Sequence, residues 1–439
     1  MKLPLLPPGL RLLQLPSTSQ VAYCGIAVHA GTRNEAPGEH GLAHFCEHLA
    51  FKGTSRRSAR KIINDIEGVG GELNAFTNKE DTVYYCVVQH QYLQRAIDVL
   101  CDIVFNSQYP QHEVEKEREV VCDEIESYED SPSELIYDEF ENLLFPNHPL
   151  GHNILGNSQQ VRSYTSDDAR RFTQQWYRPE NCVLFVSGSE RGVKRSEGGV
   201  KGSEKGVKGS EWEVKGTIDQ QREVLSPSLP LHSPFTPPSL PLHSSFTPLS
   251  LPLNTSLPPI TIRERGTHQA HVMLGTRAFA ANDDRRWALY LLNNILGGPS
   301  MNSRLNLTLR ERHGLVYTVD SSMTCYSDTG LWAVYFGCDP HDVDRCCRLV
   351  RRELDRFTQQ LLSPTVLRQA KRQLQGQLAI ACENREQFTI DSARTFLHTG
   401  KGRSLNDIMA HIDRLTPDDL LNVAQLLFTP ERITTLIYH

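Results

Sequence analysis

The sequence predicts an α+β fold of two homologous domains, each a mixed, mainly antiparallel sheet packed with helices, joined by a long low-complexity linker. Three observations predict it. Strand-period and helix-period segments run in the same order on either side of a repetitive stretch. That stretch cannot bury enough apolar surface to offset its own ordering entropy. And 439 residues suit two to three domains of ordinary size.

The first domain is expected over residues 1–188. Gly9 to Leu13 opens it as a short strand, and Val21 to Val28 reads as a second. Residues 44–48 belong to the helix that follows. Ser58 to Glu67 is a further helix, and Glu72 to Thr77 with Thr82 to Val88 read as paired strands. Helices follow at Gln91 to Phe105 and Glu113 to Tyr128, and Cys182 to Val186 closes the domain as a short apolar strand.

Residues 189–258 form the linker. A seven-residue unit repeats, as in Gly199-Val200-Lys201-Gly202-Ser203-Glu204-Lys205 and again from Gly206, and an eleven-residue unit takes over at Ser228 and recurs from Ser239. Glycine and serine keep the first part flexible, and prolines block helix and sheet in the second, so disorder is expected. The second domain, residues 259–439, repeats the element order. His271 to Leu274 is a strand and Arg285 to Leu296 a helix. Leu315 to Met323 and Gly330 to Phe336 are paired strands, long helices cover Asp342 to Gln360 and Pro364 to Cys382, and Ile433 to Tyr438 is the closing strand.

Composition excludes several classes of function. The net charge of −6 is mild, and no basic patch with interleaved aromatics points to nucleic acid. The eleven cysteines are scattered and odd in number, without C-x-x-C pairs, which suits reduced thiols of an intracellular protein. Met1 to Pro8 carries one charge and several prolines, which argues against a signal peptide, and a strand from Gly9 leaves no room for a transit peptide. No apolar run reaches the length of a membrane span. The expected location is cytoplasmic.

The chemistry sits in His44-Phe45-Cys46-Glu47-His48. Residues three or four apart lie one above the other on a helix, so His44, Glu47 and His48 share a face while Cys46 points off it. Two imidazoles so placed can take two corners of a Zn²⁺ tetrahedron, with a carboxylate beside the metal to accept a proton from water. The order H-x-x-E-H is the inverted zincin motif. Its flanks, Gly41-Leu42-Ala43 and Leu49-Ala50-Phe51, are apolar, which implies a buried helix whose polar groups need partners. A third ligand is expected from the acidic helix after Pro110. Glu117 and Glu124 share a face two turns apart, and Val114, Val121 and Ile125 give that helix an apolar stripe. Composition alone does not choose Glu124 over its acidic neighbours.

These residues resemble the metallopeptidase family of pitrilysin, insulysin and the mitochondrial processing peptidase, in particular its short two-domain bacterial members. That family carries H-x-x-E-H with a glutamate ligand about seventy-six residues after the second histidine, the place of Glu124 here, and a supporting glutamate seven residues earlier, the place of Glu117. Gly70-Gly71-Glu72-Leu73-Asn74-Ala75-Phe76-Thr77 looks like the family's G-G-x-x-N-A-x-T segment, which implies an edge strand where Asn74 and Ala75 bind substrate backbone. The run Leu309 to Tyr317 resembles the family's arginine and tyrosine pair, which implies that Arg310 holds substrate and Tyr317 stabilises the oxyanion. The linker departs from the family, which has only a short connection there.

The resemblance implies a zinc endopeptidase acting on peptides or unfolded segments. One Zn²⁺ per chain would be held by His44, His48 and Glu124, with Glu47 as the general base and Glu117 in support. Relatives that work as single chains have four such domains and this chain has two, so a homodimer or a heterodimer with a related chain is implied, Arg310 and Tyr317 acting across the interface. The alternative is a non-catalytic or partner-dependent subunit of a processing-peptidase-like heterodimer, a class that usually lacks an intact motif.

Overall fold

A computed structural model describes residues 6–189, 213–215, 222–224, 260–402 and 404–439. The first half runs β1 (Arg11–Ser17), β2 (Val21–Val28), α1 (Leu42–Leu49), α2 (Ala59–Glu67), β3 (Glu72–Thr77), β4 (Thr82–Gln89), α3 (Leu93–Phe105), α4 (Gln111–Glu129), α5 (Pro132–Leu144), α6 (Ser158–Val161), α7 (Ser166–Trp176) and β5 (Cys182–Ser189). Its five strands lie in the order β1-β5-β2-β4-β3, with β1 parallel to β5 and the other pairs antiparallel. Most of the expected linker lies outside the described residues. Two short pieces within it, β6 (Glu213–Lys215) and β7 (Arg222–Val224), pair antiparallel.

The second half runs β8 (Ile260–Arg263), β9 (Ala270–Ala278), α8 (Arg286–Gly297), a π-helical turn at Asn306–Arg312, β10 (Val316–Cys325), β11 (Gly330–Cys338), α9 (Val343–Gln359), α10 (Pro364–Ala381), α11 (Arg385–Thr399), α12 (Leu405–Arg414), α13 (Pro417–Leu427) and β12 (Thr434–Tyr438). Its sheet, β10-β11-β9-β12-β8, repeats the order of the first. The expected α+β duplication is therefore present. Among the described residues, no helix is long and apolar enough to cross a membrane.

Both sheets are buried on both faces, and strand periodicity shows how. In the first sheet Ala22, Cys24, Ile26, Tyr84, Cys86 and Leu184 face the half's own helices. The alternate positions Leu13, Leu15, Ala27, Val83, Val183 and Phe185 face Phe388, Ile390, Ala393, Phe396 and Leu397 of α11, a helix of the other half. The exchange is reciprocal. Ile136, Phe140 and Leu144 of α5 cover Met273, Ala333, Tyr335, Leu436 and Tyr438 of the second sheet. Each such apolar side chain contributes about 1.5–3 kcal/mol when fully buried, so the two halves are packed as one body. No helix is expected from the sequence at 129–181 or 383–432, yet α5 and α11, which tie the halves together, lie there.

A polar seam runs beside these contacts. Asp81, wholly buried, accepts hydrogen bonds from Arg394 Nε at 2.9 Å and Nη2 at 3.0 Å and pairs with His398 Nε2 at 3.1 Å. Burial opposes ionisation there, but Arg394 and His398 hold the Asp81 carboxyl well below the usual carboxylate range. Nearby, Arg33 bridges Glu80 at 2.7 Å and Asp328, and Ser327 donates through its backbone N–H and its hydroxyl to Glu80, so the β3–β4 and β10–β11 hairpin tips meet.

Candidate metal centre

The helix α1 starts abruptly. Gly41 sits at φ 90°, and a Cβ there would lie 2.4 Å from the Leu155 carbonyl oxygen, so only glycine fits. No side chain at the cap position serves the free amides. Instead the carboxylate of Glu35 accepts from Gly41 N at 3.0 Å and Ala43 N at 2.8 Å, with His152 Nε2 2.9 Å away on its far side. Burial pushes the Glu35 carboxyl well up, and the two backbone bonds, which satisfy orphan donors of the helix, oppose that rise. Leu42, Phe45, Cys46 and Leu49 are buried in the core. The Cys46 sulfur is directed at the Ala169 carbonyl, away from the ligand face.

Across from α1 lies α4. Its stripe of Val114, Val121 and Ile125 is buried as expected, which fixes the helix's rotation and turns Glu117 and Glu124 to the histidines. The rings of His44 and His48 pack edge-on with centroids 4.6 Å apart. Glu124 Oε2 lies 3.3 Å from His48 Nε2 and 3.8 Å from His44 Nε2. One donor atom from each of His44, His48 and Glu124 falls within 4.8 Å of the others, the one such grouping among the described residues. Behind them, Glu117 Oε1 is 3.0 Å from His48 Nδ1, and its other oxygen is 2.6 Å from Lys52 Nζ.

The charges suit a cation. Burial alone would push His48 down, but Glu117 and Glu124 lift its pKa to about 9. Burial, helped by His48, pushes His44 down to about 4. The hydrogen bond with His48 holds Glu124 below the usual carboxylate range, and Glu117, despite burial, is held low by His48 and Lys52. Donation from His48 Nδ1–H to Glu117 would leave the Nε2 lone pair toward Glu124, the tautomer that binds metal. Two imidazole nitrogens and a carboxylate oxygen so converged fit zinc, and the same atoms that hold a proton here would hold the ion.

Glu47 sits beside them, buried, with Oε2 accepting a hydrogen bond of 2.7 Å from the Thr77 hydroxyl. Burial pushes its carboxyl up and the Thr77 bond pulls it back. Thr77 ends β3, the outer strand of its sheet, which packs by α1 and, among the described residues, pairs with β4 alone. Asn74 and Ala75 lie on this same strand. An outer strand leaves backbone groups free to pair with an added chain.

Arg310 and Tyr317 are elsewhere. Arg310 lies in the π-helical turn and pairs loosely with Glu311 at 3.7 Å, and Tyr317, at the start of the outer strand β10, is 83% exposed. No described hydrogen bond or ion pair joins either to His44, Glu47, His48 or Glu124. Lys52 and Glu35 had no place in the sequence reading. Lys52 had a signal, one turn beyond His48. Glu35 had none, since its contact is made by a loop.

Two family models match the chain: insulinase (peptidase family M16) over residues 12–158, and the peptidase M16 inactive domain over residues 163–374. An uncharacterized zinc protease of Streptomyces coelicolor is 35% identical over 422 residues, covering 96% of this chain and 85% of that protein. One from Bacillus subtilis is 30% identical over 424 residues, covering 96% and 94%. Among solved structures, a protease from Helicobacter pylori matches with a TM-score of 0.78 at 20% identity, covering 98% of this chain and 97% of that one. A peptidase M16 inactive domain from Pseudomonas fluorescens matches at 0.75 and 17%, covering 98% and 96%. At these identities the solved structures speak for the fold alone.

Proposed function

Because the chain belongs to the insulinase family of peptidases, family M16, we propose that it is a zinc-dependent endopeptidase cleaving peptides or unfolded protein segments. The observation that carries this reading is the convergence of His44, His48 and Glu124 with Glu47 directly beside them. His44, His48 and Glu124 would hold one ion per chain, and Glu117, braced by Lys52, would fix the orientation of His48. Zinc bound there supplies Lewis acidity, polarising a scissile carbonyl and making water a better nucleophile. Glu47 takes a proton from the attacking water and passes it to the leaving amine. Asn74 and Ala75 on the free edge of β3 align substrate as an added strand.

The exposure of Tyr317 favours a dimer in which Arg310 and Tyr317 of one chain close over the metal of the other. A mixture of Glu47→Gln and Tyr317→Phe chains is then expected to regain activity that neither has alone, and no gain would argue against assembly in trans. A non-catalytic subunit is disfavoured because every ligand position is filled. The test is zinc content and cleavage of a quenched unstructured peptide, with and without chelator. One zinc per chain with chelator-sensitive cleavage is expected. Zinc without cleavage would point to a missing partner, and no zinc would overturn the site.

A further inference from the structure

We infer that Thr77 is a positioning residue for proton transfer at Glu47, an assignment that rests on the reading of Glu47 as general base. The direct contact is the 2.7 Å bond from Thr77 Oγ1 to Glu47 Oε2 between two buried side chains. Its direction is set by a third residue. Thr82, opposite Thr77 in the β3–β4 ladder, lies 3.4 Å from the Thr77 oxygen and donates its own hydroxyl proton to the Ala30 carbonyl at 2.9 Å. A hydroxyl has one proton. With Thr82's committed to Ala30, Thr77 has no donor from that side and gives its own to Glu47.

A donated bond to Oε2 fixes that oxygen in place and removes it from competition. Oε1 is left to receive the proton from water, which then leaves with the amine nitrogen, while Thr77 keeps its own proton throughout. Glutamate has three rotatable side-chain bonds, and holding it in one orientation lowers the cost of reaching the reactive geometry.

The anchor of Thr77 extends into the other half. The turn after it is closed by Asn78 N to Asp81 O at 2.8 Å and Asn78 Nδ2 to Asp81 Oδ1 at 2.9 Å. Asp81 is the residue gripped by Arg394 and His398 of α11. Asn78 O and Lys79 O accept from Thr32 N and Arg33 N, and Lys79 Nζ reaches the Leu150 carbonyl. The hairpin tip is thus fixed on three sides, and the half without a metal face helps hold the orientation of the base.

The experiment compares Thr77→Val, Thr77→Ser and Glu47→Gln with the full-length zinc-loaded chain, measuring kcat, KM and bound zinc on the quenched peptide. Valine keeps the β-branched shape and loses only the donor. It is expected to lower kcat roughly tenfold to a hundredfold, the loss of a hydrogen bond to a charged group, with KM and zinc content unchanged. Serine restores most of kcat. Wild-type kcat in Thr77→Val, equal losses in the valine and serine variants, or zinc lost with the hydroxyl would each overturn the assignment. Turnover retained by Glu47→Gln would instead refute the general-base reading beneath it. If the valine variant does not fold, Thr77→Ala and Thr77→Ser are compared by the same three readings.

Discussion

In the first half α1 meets α4 through imidazoles and carboxylates, and in the second α8 meets α10 through amides. The two pairs occupy the same place in the element order and against the same sheet order. Asn294 Nδ2 donates to Gln377 Oε1 at 2.7 Å and Gln377 Nε2 donates to Ser300 Oγ at 2.6 Å, while Asn293, beside Asn294, ties α8 to the sheet by donating to Ser321 O on β10 and accepting from Trp332 Nε1 on β11, both at 3.0 Å. An amide carries donor and acceptor in one group, so such a contact is satisfied by its own members. Imidazole and carboxylate divide those roles between unlike groups: a proton shared between His48 Nε2 and Glu124 joins them here, and under the proposed function a cation would take its place. The scaffold is common to both halves. What separates the proposed metal face from a structural one is the choice of side chain on a single pair of helices.

The largest expected effect comes from giving the first pair the chemistry of the second. Glu124→Gln replaces the charged group proposed as a ligand by an amide, and we expect zinc affinity to fall by roughly a hundredfold or more, with turnover lost alongside. Thermal unfolding of the metal-free protein should barely change, because Glu124 is nearly half exposed. Competition against a chromophoric chelator measures the affinity, and an undiminished value would pass the ligand role to another acid of α4.

The second test breaks the tie between the halves. Asp81→Asn removes the carboxylate that grips the buried Arg394 guanidinium and leaves it only the weaker attraction of Asp391 and Glu80, a loss of about 3 kcal/mol by urea unfolding. The sign of the pH dependence follows from the depressed Asp81 pKa. The unfolded carboxyl titrates near 3.9, so the pair's contribution is whole above about pH 4 and drains away as pH falls toward the folded value. The share of the gap that comes from Asp81 should therefore shrink only below about pH 4, and wild type and variant should converge in stronger acid. A gap that persisted unchanged in strong acid would mean that the loss came from packing and not from charge.

Much of this was legible in the sequence, and the reasons differ by element. His44, Glu47 and His48 stand at helical spacing, so local geometry alone brings them together. Glu124 was narrowed to a face by the apolar stripe of α4, but its choice over Glu117 needed the family resemblance, because distance along a chain says nothing of distance in space. The sheet order repeated as the duplicated pattern implied. The crossing helices were missed, although Leu135, Ile136, Phe140 and Leu144 have helical spacing. Their partners lie in the opposite half, and no local signal announces a contact that far away. Thr77 was visible as a motif residue and not as the partner of Glu47, since hydrogen-bond direction depends on Thr82 and Ala30 together.

The smallest effect tests the structural side of the comparison. Gln377→Ala removes one neutral amide link between α8 and α10, leaving Asn294 Nδ2 and Ser300 Oγ to find other partners. A neutral hydrogen bond contributes about 1 kcal/mol net, so thermal unfolding should fall by a few degrees while zinc affinity and kcat stay at wild-type values. Calorimetry and the peptide assay on one preparation read both quantities. A drop in zinc affinity would mean that the amide pair of the second half supports the metal face of the first, and the division of labour between the halves would have to be redrawn.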